Sequence, residues 1–133
     1  MATQTQPLSR DQLAALPDSY FKAVDAKDVD AILEHFADDA VMTVQTDHAT
    51  WTGADEIRRM FTDFCDGSVS IFHEIKNIVV EPELGKVATE QSYIGELNDG
   101  TKNDMHNCNF FDIDADGKFS RVIIWMAGTN PLK

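Results

Sequence analysis

Cysteine is scarce in this chain of 133 residues: Cys65 and Cys108 are the two, and they do not form a CxxC pair. With no secretory start in view, free thiols in a reducing compartment are expected rather than a disulfide framework. Basic side chains are also few, 11 against 23 acidic ones, which gives a net charge of −12. Nucleic acid and anionic membrane surfaces both demand a basic footprint, so neither is expected as a partner. The excess acid reads as solubility. No apolar run approaches the roughly 18 residues of a membrane span. Residues 1–8 lack the basic start and apolar centre of a signal peptide. They read as a loose tail before a single domain over residues 9–133, and a cytoplasmic location is expected.

Motifs that bind metals and cofactors are missing too. The four histidines, His35, His48, His73 and His106, show no HxxxH spacing, so no metal site is expected. No glycine-rich phosphate loop is present, which speaks against a nucleotide cofactor. No G-x-S-x-G occurs, so a nucleophile elbow is not expected. Cys108 reads as packing on a sheet.

What is present is an ordinary globular composition, 43% hydrophobic and 26% charged. A chain this long buries roughly two-thirds of its unfolded surface without a staple. Ser9 and Gln12 form a capping-box signal, and Leu13, Leu16, Tyr20 and Val24 then make one helical face. Pro17 should kink this helix or begin a second segment. Asp28 is a plausible N-cap for a helix with Val29, Ile32, Leu33 and Phe36 on its apolar side. Val41 to Thr46 alternates as a strand does. Thr52 and Gly53 open a third helix, with Ile57, Met60, Phe61 and Phe64 as its buried stripe and Gly67 as its stop.

From there the period changes from 3.6 to 2. Strands are predicted over 69–81, 86–97, 102–114 and 118–127. The turns between them are Pro82 to Gly85, Asn98-Asp99-Gly100 and Asp116-Gly117. Three consecutive hairpins make an antiparallel meander, and helices followed by strands make an α+β fold with the helices on one sheet face.

Strand phase then selects the candidate site. In the first long strand the odd residues are the more apolar, which turns His73 and Asn77 inward. In the third, the odd set holds Met105, Asn107, Asn109 and Phe111. A buried polar group without a partner costs roughly 1–3 kcal/mol. These groups therefore either satisfy one another or line a wet pocket. A one-residue slip would instead turn Asp104, His106 and Cys108 inward and make Asp104 and His106 the rival acid–base pair. The outer face would carry Phe72, Ile78, Val80, Phe110, Val122, Ile124 and Met126. Such an apolar surface predicts a homodimer.

Residues 20–44, YFKAVDAKDVDAILEHFADDAVMTV, and 51–64, WTGADEIRRMFTDF, resemble the opening of SnoaL-like polyketide cyclases and bacterial ketosteroid isomerases. Residues 72–81 and 85–97 resemble the scytalone-dehydratase-like branch of the same superfamily. FFDIDADGKFSRVIIWM resembles its closing hairpin. The resemblance implies a cone-shaped, nuclear-transport-factor-2-like fold: three N-terminal helices on a curved, mainly antiparallel sheet around one small-molecule pocket.

The same resemblance implies site residues. Tyr20 lies where the isomerases place an oxyanion-hole tyrosine, and Asn109 lies near their second oxyanion donor. Val44 stands where their base aspartate would be. His73 lies where the dehydratase branch has a catalytic histidine, Asp25 where it has an orienting acid, and Asn107 near a pocket asparagine. Gln91 and Val24 replace that branch's second histidine and one of its tyrosines.

From chemistry alone, His73 suits proton transfer near neutrality. Tyr20 and the carboxamides suit stabilisation of an enolate-like oxygen. Trp51, Phe61, Phe64, Met105, Phe111 and Trp125 are candidate substrate-binding walls, with ordinary core packing as the alternative, and His106 is a further candidate substrate-binding residue. The expected function is a cofactor-free lyase, isomerase or cyclase acting on a small hydrophobic, aromatic or polyketide-like molecule. The alternative is a non-catalytic ligand-binding or association module.

Overall fold

A computed structural model describes residues 7–133. The expected loose tail lies outside the described residues over 1–6, and Leu8, counted in that tail, is half-buried against the core. Helix α1 spans Arg10–Asp25. It starts where the sequence predicts: the Ser9 hydroxyl accepts from the Gln12 N–H, and the Gln12 side chain accepts from the Ser9 N–H. The helix runs through Pro17 as a single element, and its buried face is Leu13, Pro17, Tyr20, Phe21 and Val24. Helix α2 is the short Val29–Leu33, capped by the Asp28 carboxylate on the Ala31 N–H. Helix α3 is Ala54–Asp66. It begins at Gly53, whose φ of +87° favours a residue without a Cβ, and it stops at Gly67.

Six strands form one mixed sheet in the order β2-β1-β6-β5-β4-β3: β1 Phe36–Val44, β2 Ala49–Thr52, β3 Ser68–Glu81, β4 Lys86–Leu97, β5 Lys102–Ile113 and β6 Phe119–Trp125. The expected meander is β3 to β6. Strand β2 and the first half of β1 were not expected. β1 lies parallel to β6, and every other pairing is antiparallel. This is the α+β architecture the sequence implied, with three helices on one sheet.

Two irregularities correct the predicted strand phase. In β3, register shifts between Ile75 and Asn77, so the odd residues Ile71, His73 and Ile75 face inward before the shift and the even residues after it. Asn77 is therefore exposed, paired with Glu90 on the outer face, and not among buried neighbours. Ile78 and Val80, assigned to the outer face by simple alternation, pair with the inward Thr89 and Val87. In β6 the even residues face inward: Val122 and Ile124 are buried, and Met126 beyond them borders the interior. They do not belong to the outer face. The phase predicted for β5 agrees with the structure, with Met105, Asn107, Asn109, Phe111 and Ile113 buried.

The core between helices and sheet is aromatic. Tyr20 sits at its centre with Phe21, His35, Phe36, Phe61, Phe111 and Phe119 at centroid distances of 5.1–6.1 Å. Most of these pairs are edge-to-face, the arrangement the ring quadrupoles prefer. Among the described residues no helix is long and apolar enough to cross a membrane.

Candidate active site

The interior polar residues gather around one cavity between α1, α3 and the sheet. It has a volume of about 40 Å³, and Tyr20, His73, Gln91, Tyr93, Asn107 and Asn109 supply its polar lining. His73 comes from β3. Its Nδ1 lies 2.7 Å from Oδ1 of Asp25, and its backbone N–H donates to Oδ2 at 3.0 Å. A carboxylate only accepts, so Nδ1 carries the proton. In the neutral ring Nε2 is then a free lone pair, and it has no hydrogen-bond partner among the described residues. Phe21 and Tyr93 stack on the imidazole at 4.7 and 5.2 Å, which fixes the ring plane.

Asp25 is the last residue of α1. A carboxylate there meets the negative end of the helix dipole, which disfavours it. The two hydrogen bonds from His73 offset that cost, since a bond to a charged group is worth roughly 1.5–3 kcal/mol. A local rule broken and compensated in this way is characteristic of functional positions.

Three donors share the cavity. Asn107 borders the cavity, and its Oδ1 accepts from the Ala127 N–H at 3.0 Å, so its amide orientation is fixed and its NH₂ has no partner among the described residues. Asn109 is the end of a buried chain: Thr89 donates to Gln91 Oε1 at 2.7 Å, and Gln91 Nε2 donates to Asn109 Oδ1 at 2.9 Å. The Asn109 nitrogen has no partner among the described residues. The Tyr20 hydroxyl likewise has none. Burial, and secondarily Cys65, pushes the Tyr20 phenol well above its ordinary value of 10.0, so at neutral pH it is a donor.

The structure thus brings Tyr20, Asp25, His73, Asn107, Asn109 and Phe61 to one place. It does not bring the other candidates there. His106 is exposed, because β5 keeps the odd phase. The rival pair of Asp104 and His106 therefore faces outward. Trp125 is 49% exposed on the outer face, beside Cys108. Trp51 is half-buried on β2, away from the cavity lining. Met105 and Phe111 are buried but do not border the cavity: Met105 packs by Gly128, and Phe111 packs beneath Tyr20. Both cysteines are free, Cys65 buried and Cys108 half-buried. Among the described residues no group of three His, Cys, Asp or Glu is placed to hold a metal ion.

Sequence reasoning missed Tyr93, and it placed Gln91 only through the resemblance. Alternation along β4, with Val87, Thr89, Gln91 and Tyr93 all buried, is the signal that could have found them. It also missed Pro131 and Leu132, which border the cavity from an irregular segment.

A family model described as a SnoaL-like domain matches residues 18–122. Among curated proteins none matches the chain. Several solved structures share its architecture. A protein from Novosphingobium aromaticivorans, provisionally assigned as an aromatic ring hydroxylase, is 25% identical, with a TM-score of 0.82 over 96% of this chain and 100% of its own. SalBIII, an epoxide hydrolase/cyclase-like enzyme of pyran ring formation in the polyether salinomycin, is 17% identical, with a TM-score of 0.80 over 94% of this chain and 95% of its own. A Shewanella denitrificans protein, provisionally assigned as a SnoaL-like polyketide cyclase, is 13% identical, with a TM-score of 0.79 over 88% of this chain and 91% of its own.

Proposed function

The chain belongs to the SnoaL-like domain family, and from that premise we propose that it is a cofactor-independent acid–base enzyme, a lyase, isomerase or cyclase, acting on a small hydrophobic carbonyl compound. The observation that carries this reading is the imidazole of His73. Asp25 holds its Nδ1, its Nε2 is unpartnered among the described residues, and it shares a cavity with the Tyr20 phenol and the Asn107 and Asn109 carboxamides. A histidine bonded only to backbone would have favoured a binding module instead.

In the proposed reaction Nε2 takes a proton from the carbon beside the substrate carbonyl. The Tyr20 O–H and the Asn107 and Asn109 amides donate to the oxygen as it gains negative charge. Asp25 keeps the ring in one tautomer and stabilises the imidazolium that forms. The enolate then has three outcomes. It takes the proton back at another carbon, expels a β-hydroxyl as water using the His73 proton, or attacks a second electrophilic carbon to close a ring. All three are proton-transfer chemistry on one donor set, and the cyclase names of the solved relatives are in keeping with it. The hydroxylase name of the Novosphingobium relative points to aromatic substrates.

Among the described residues no lysine or arginine borders the cavity. An anionic substrate would enter without a counter-charge, in a chain of net charge −12. The substrate proposed is therefore uncharged, and the aromatic and aliphatic walls suit fused or phenolic rings. A thermal-shift screen of steroids, naphthols and phenolic dimers, followed by turnover of each hit, tests the reading. Turnover by wild type that drops by at least about 100-fold in His73→Ala is expected. Equal turnover in both proteins would remove His73 from the mechanism.

The proposal extends to a homodimer through the outer sheet face. Val79, Ala88, Phe110 and Ile123 pair strand to strand across β3, β4, β5 and β6. They line a groove of about 370 Å³. Beside that row, Glu81, Lys86, Asp112 and Arg121 alternate in sign, which suits a two-fold axis. A single domain over residues 9–133, acting in the cytoplasm, completes the proposal.

A further inference from the structure

One wall of the cavity belongs to neither helix nor strand. Pro131 and Leu132 border it, from a segment that follows β6. With that wall in place the cavity measures about 40 Å³. That is room for a few waters, whereas small-molecule sites enclose roughly 300–1,000 Å³. A molecule of two fused rings does not fit, so some wall has to yield.

The walls are not equally held. Tyr20 and Phe61 are 3% and 1% exposed and packed ring against ring. The segment is tied at its root: the Met126 N–H donates to Thr46 Oγ1 at 2.7 Å, and the Ala127 N–H donates to Asn107 Oδ1 at 3.0 Å. At its far end Leu132 packs against the core, and among the described residues the polar ties to another element go to Asp47. The Asn130 Nδ2 lies 3.4 Å from both Asp47 oxygens, and the Lys133 Nζ lies 3.7 Å from Oδ2. These are long for hydrogen bonds, and an exposed ion pair of this kind is weak. Between root and tip, Gly128 and Thr129 are exposed. A root held by short bonds, a following stretch held by one aliphatic side chain and long polar contacts, and an exposed glycine between them describe a flap.

We propose that residues 128–133 form a gate over the cavity, latched by Asp47, and that Leu132 sets the size of molecule admitted. Opening swings Pro131 and Leu132 away and leaves the root on Asn107, so the Asn107 amide keeps its orientation throughout. This rests on the reading of the cavity as a substrate site. The test, however, does not depend on turnover.

Diethyl pyrocarbonate acylates unprotonated imidazole, and its rate at His73 reports access to Nε2. The protein and two variants, Asp47→Ala and Leu132→Ala, are treated at one pH, and each histidine is followed by peptide mass spectrometry. His106, exposed on the opposite face, is the internal standard, and an unchanged circular dichroism spectrum certifies the fold. His73 should react about three- to fivefold faster in both variants, the change that losing a weak tie makes to the open population. Faster reaction in Leu132→Ala alone would overturn the Asp47 latch. Equal rates at His73 in all three proteins would overturn the gate, even if His73→Ala abolished turnover.

Discussion

Asp25 binds His73 with both carboxylate oxygens, one to the ring and one to the backbone N–H of the same residue. The two residues lie 48 positions apart, and the double bond ties the end of α1 to the middle of β3 while selecting the imidazole tautomer. A carboxamide cannot reproduce it: Asp25→Asn sets an NH₂ against one of two N–H donors. Turnover on any substrate from the screen should fall by roughly 10²–10⁴-fold, the usual range for a misdirected general base. Nitrogen NMR of His73 gives a readout separate from activity. Wild type should show the Nδ1–H form when neutral, and Asp25→Asn a mixture of tautomers.

Tyr20 makes stability depend on alkaline pH. Its phenol is raised by burial above the ordinary 10.0, so above that pH the unfolded chain loses this proton while the folded one keeps it. Stability linked to the group is fully present below pH 10 and declines as pH rises beyond it. Tyr93, also raised by burial, acts in the same direction. Urea unfolding at pH 8 and pH 11 should show a decline in wild type that is shallower in Tyr20→Phe. An equal decline in both proteins would mean that Tyr20 does not drive it.

Gly95 seats the Tyr93 side chain. A Cβ there would lie 2.6 Å from the Tyr93 hydroxyl and 2.9 Å from the Ser70 carbonyl. The backbone contact cannot yield as a side chain would, so Gly95→Ala should destabilise by about 1–3 kcal/mol, as overpacking does. Because Tyr93 stacks on His73, the variant should also shift the His73 ring resonances. Unfolding and NMR on one sample check both, and a wild-type spectrum would show that the stack does not depend on residue 95.

Phe110 is 47% exposed at the centre of the apolar outer row. Light scattering at micromolar concentration should give twice the 14.8 kDa of the chain. Phe110→Glu should return the monomer, because a buried unpaired carboxylate is costly. Each copy carries a charge of −12, so added salt should favour pairing by screening repulsion. A wild-type monomer at every salt concentration would remove the interface.

Much of the fold could be read from the chain because local signals agree. The capping box at Ser9 and Gln12, the Asp28 cap and the turn glycines each mark a boundary the structure keeps. Strand β2 stayed hidden because four residues, Ala49–Thr52, are too few to show a period. The start of β1 was masked by Asp38 and Asp39, both exposed. In β6 Val122, Ile123 and Ile124 are all apolar, so alternation cannot choose a face. Hydrogen bonds across the sheet choose it instead, pairing Val122 with Phe111 and Ile124 with Asn109. The shift near Lys76 leaves no mark in composition. At the site, alternation turned His73 and both asparagines inward, but nothing local joins residue 25 to residue 73. That pairing came from the resemblance. Pro131 and Leu132 carried no periodic signal at all.

The parallel alignment of β1 with β6 has a consequence for how the molecule is made. Residues 36–44 find their long-range neighbour only at residues 119–125. On a ribosome the hairpins of β3, β4 and β5 can assemble while β1 still waits, with only the short β2 beside it. Closing so long a loop is slow, and until it closes β1 and β5 each present an unpaired edge to other nascent chains. Chaperone dependence during synthesis should therefore end when β6 emerges, which is also the first moment at which the cavity has its full set of sheet walls.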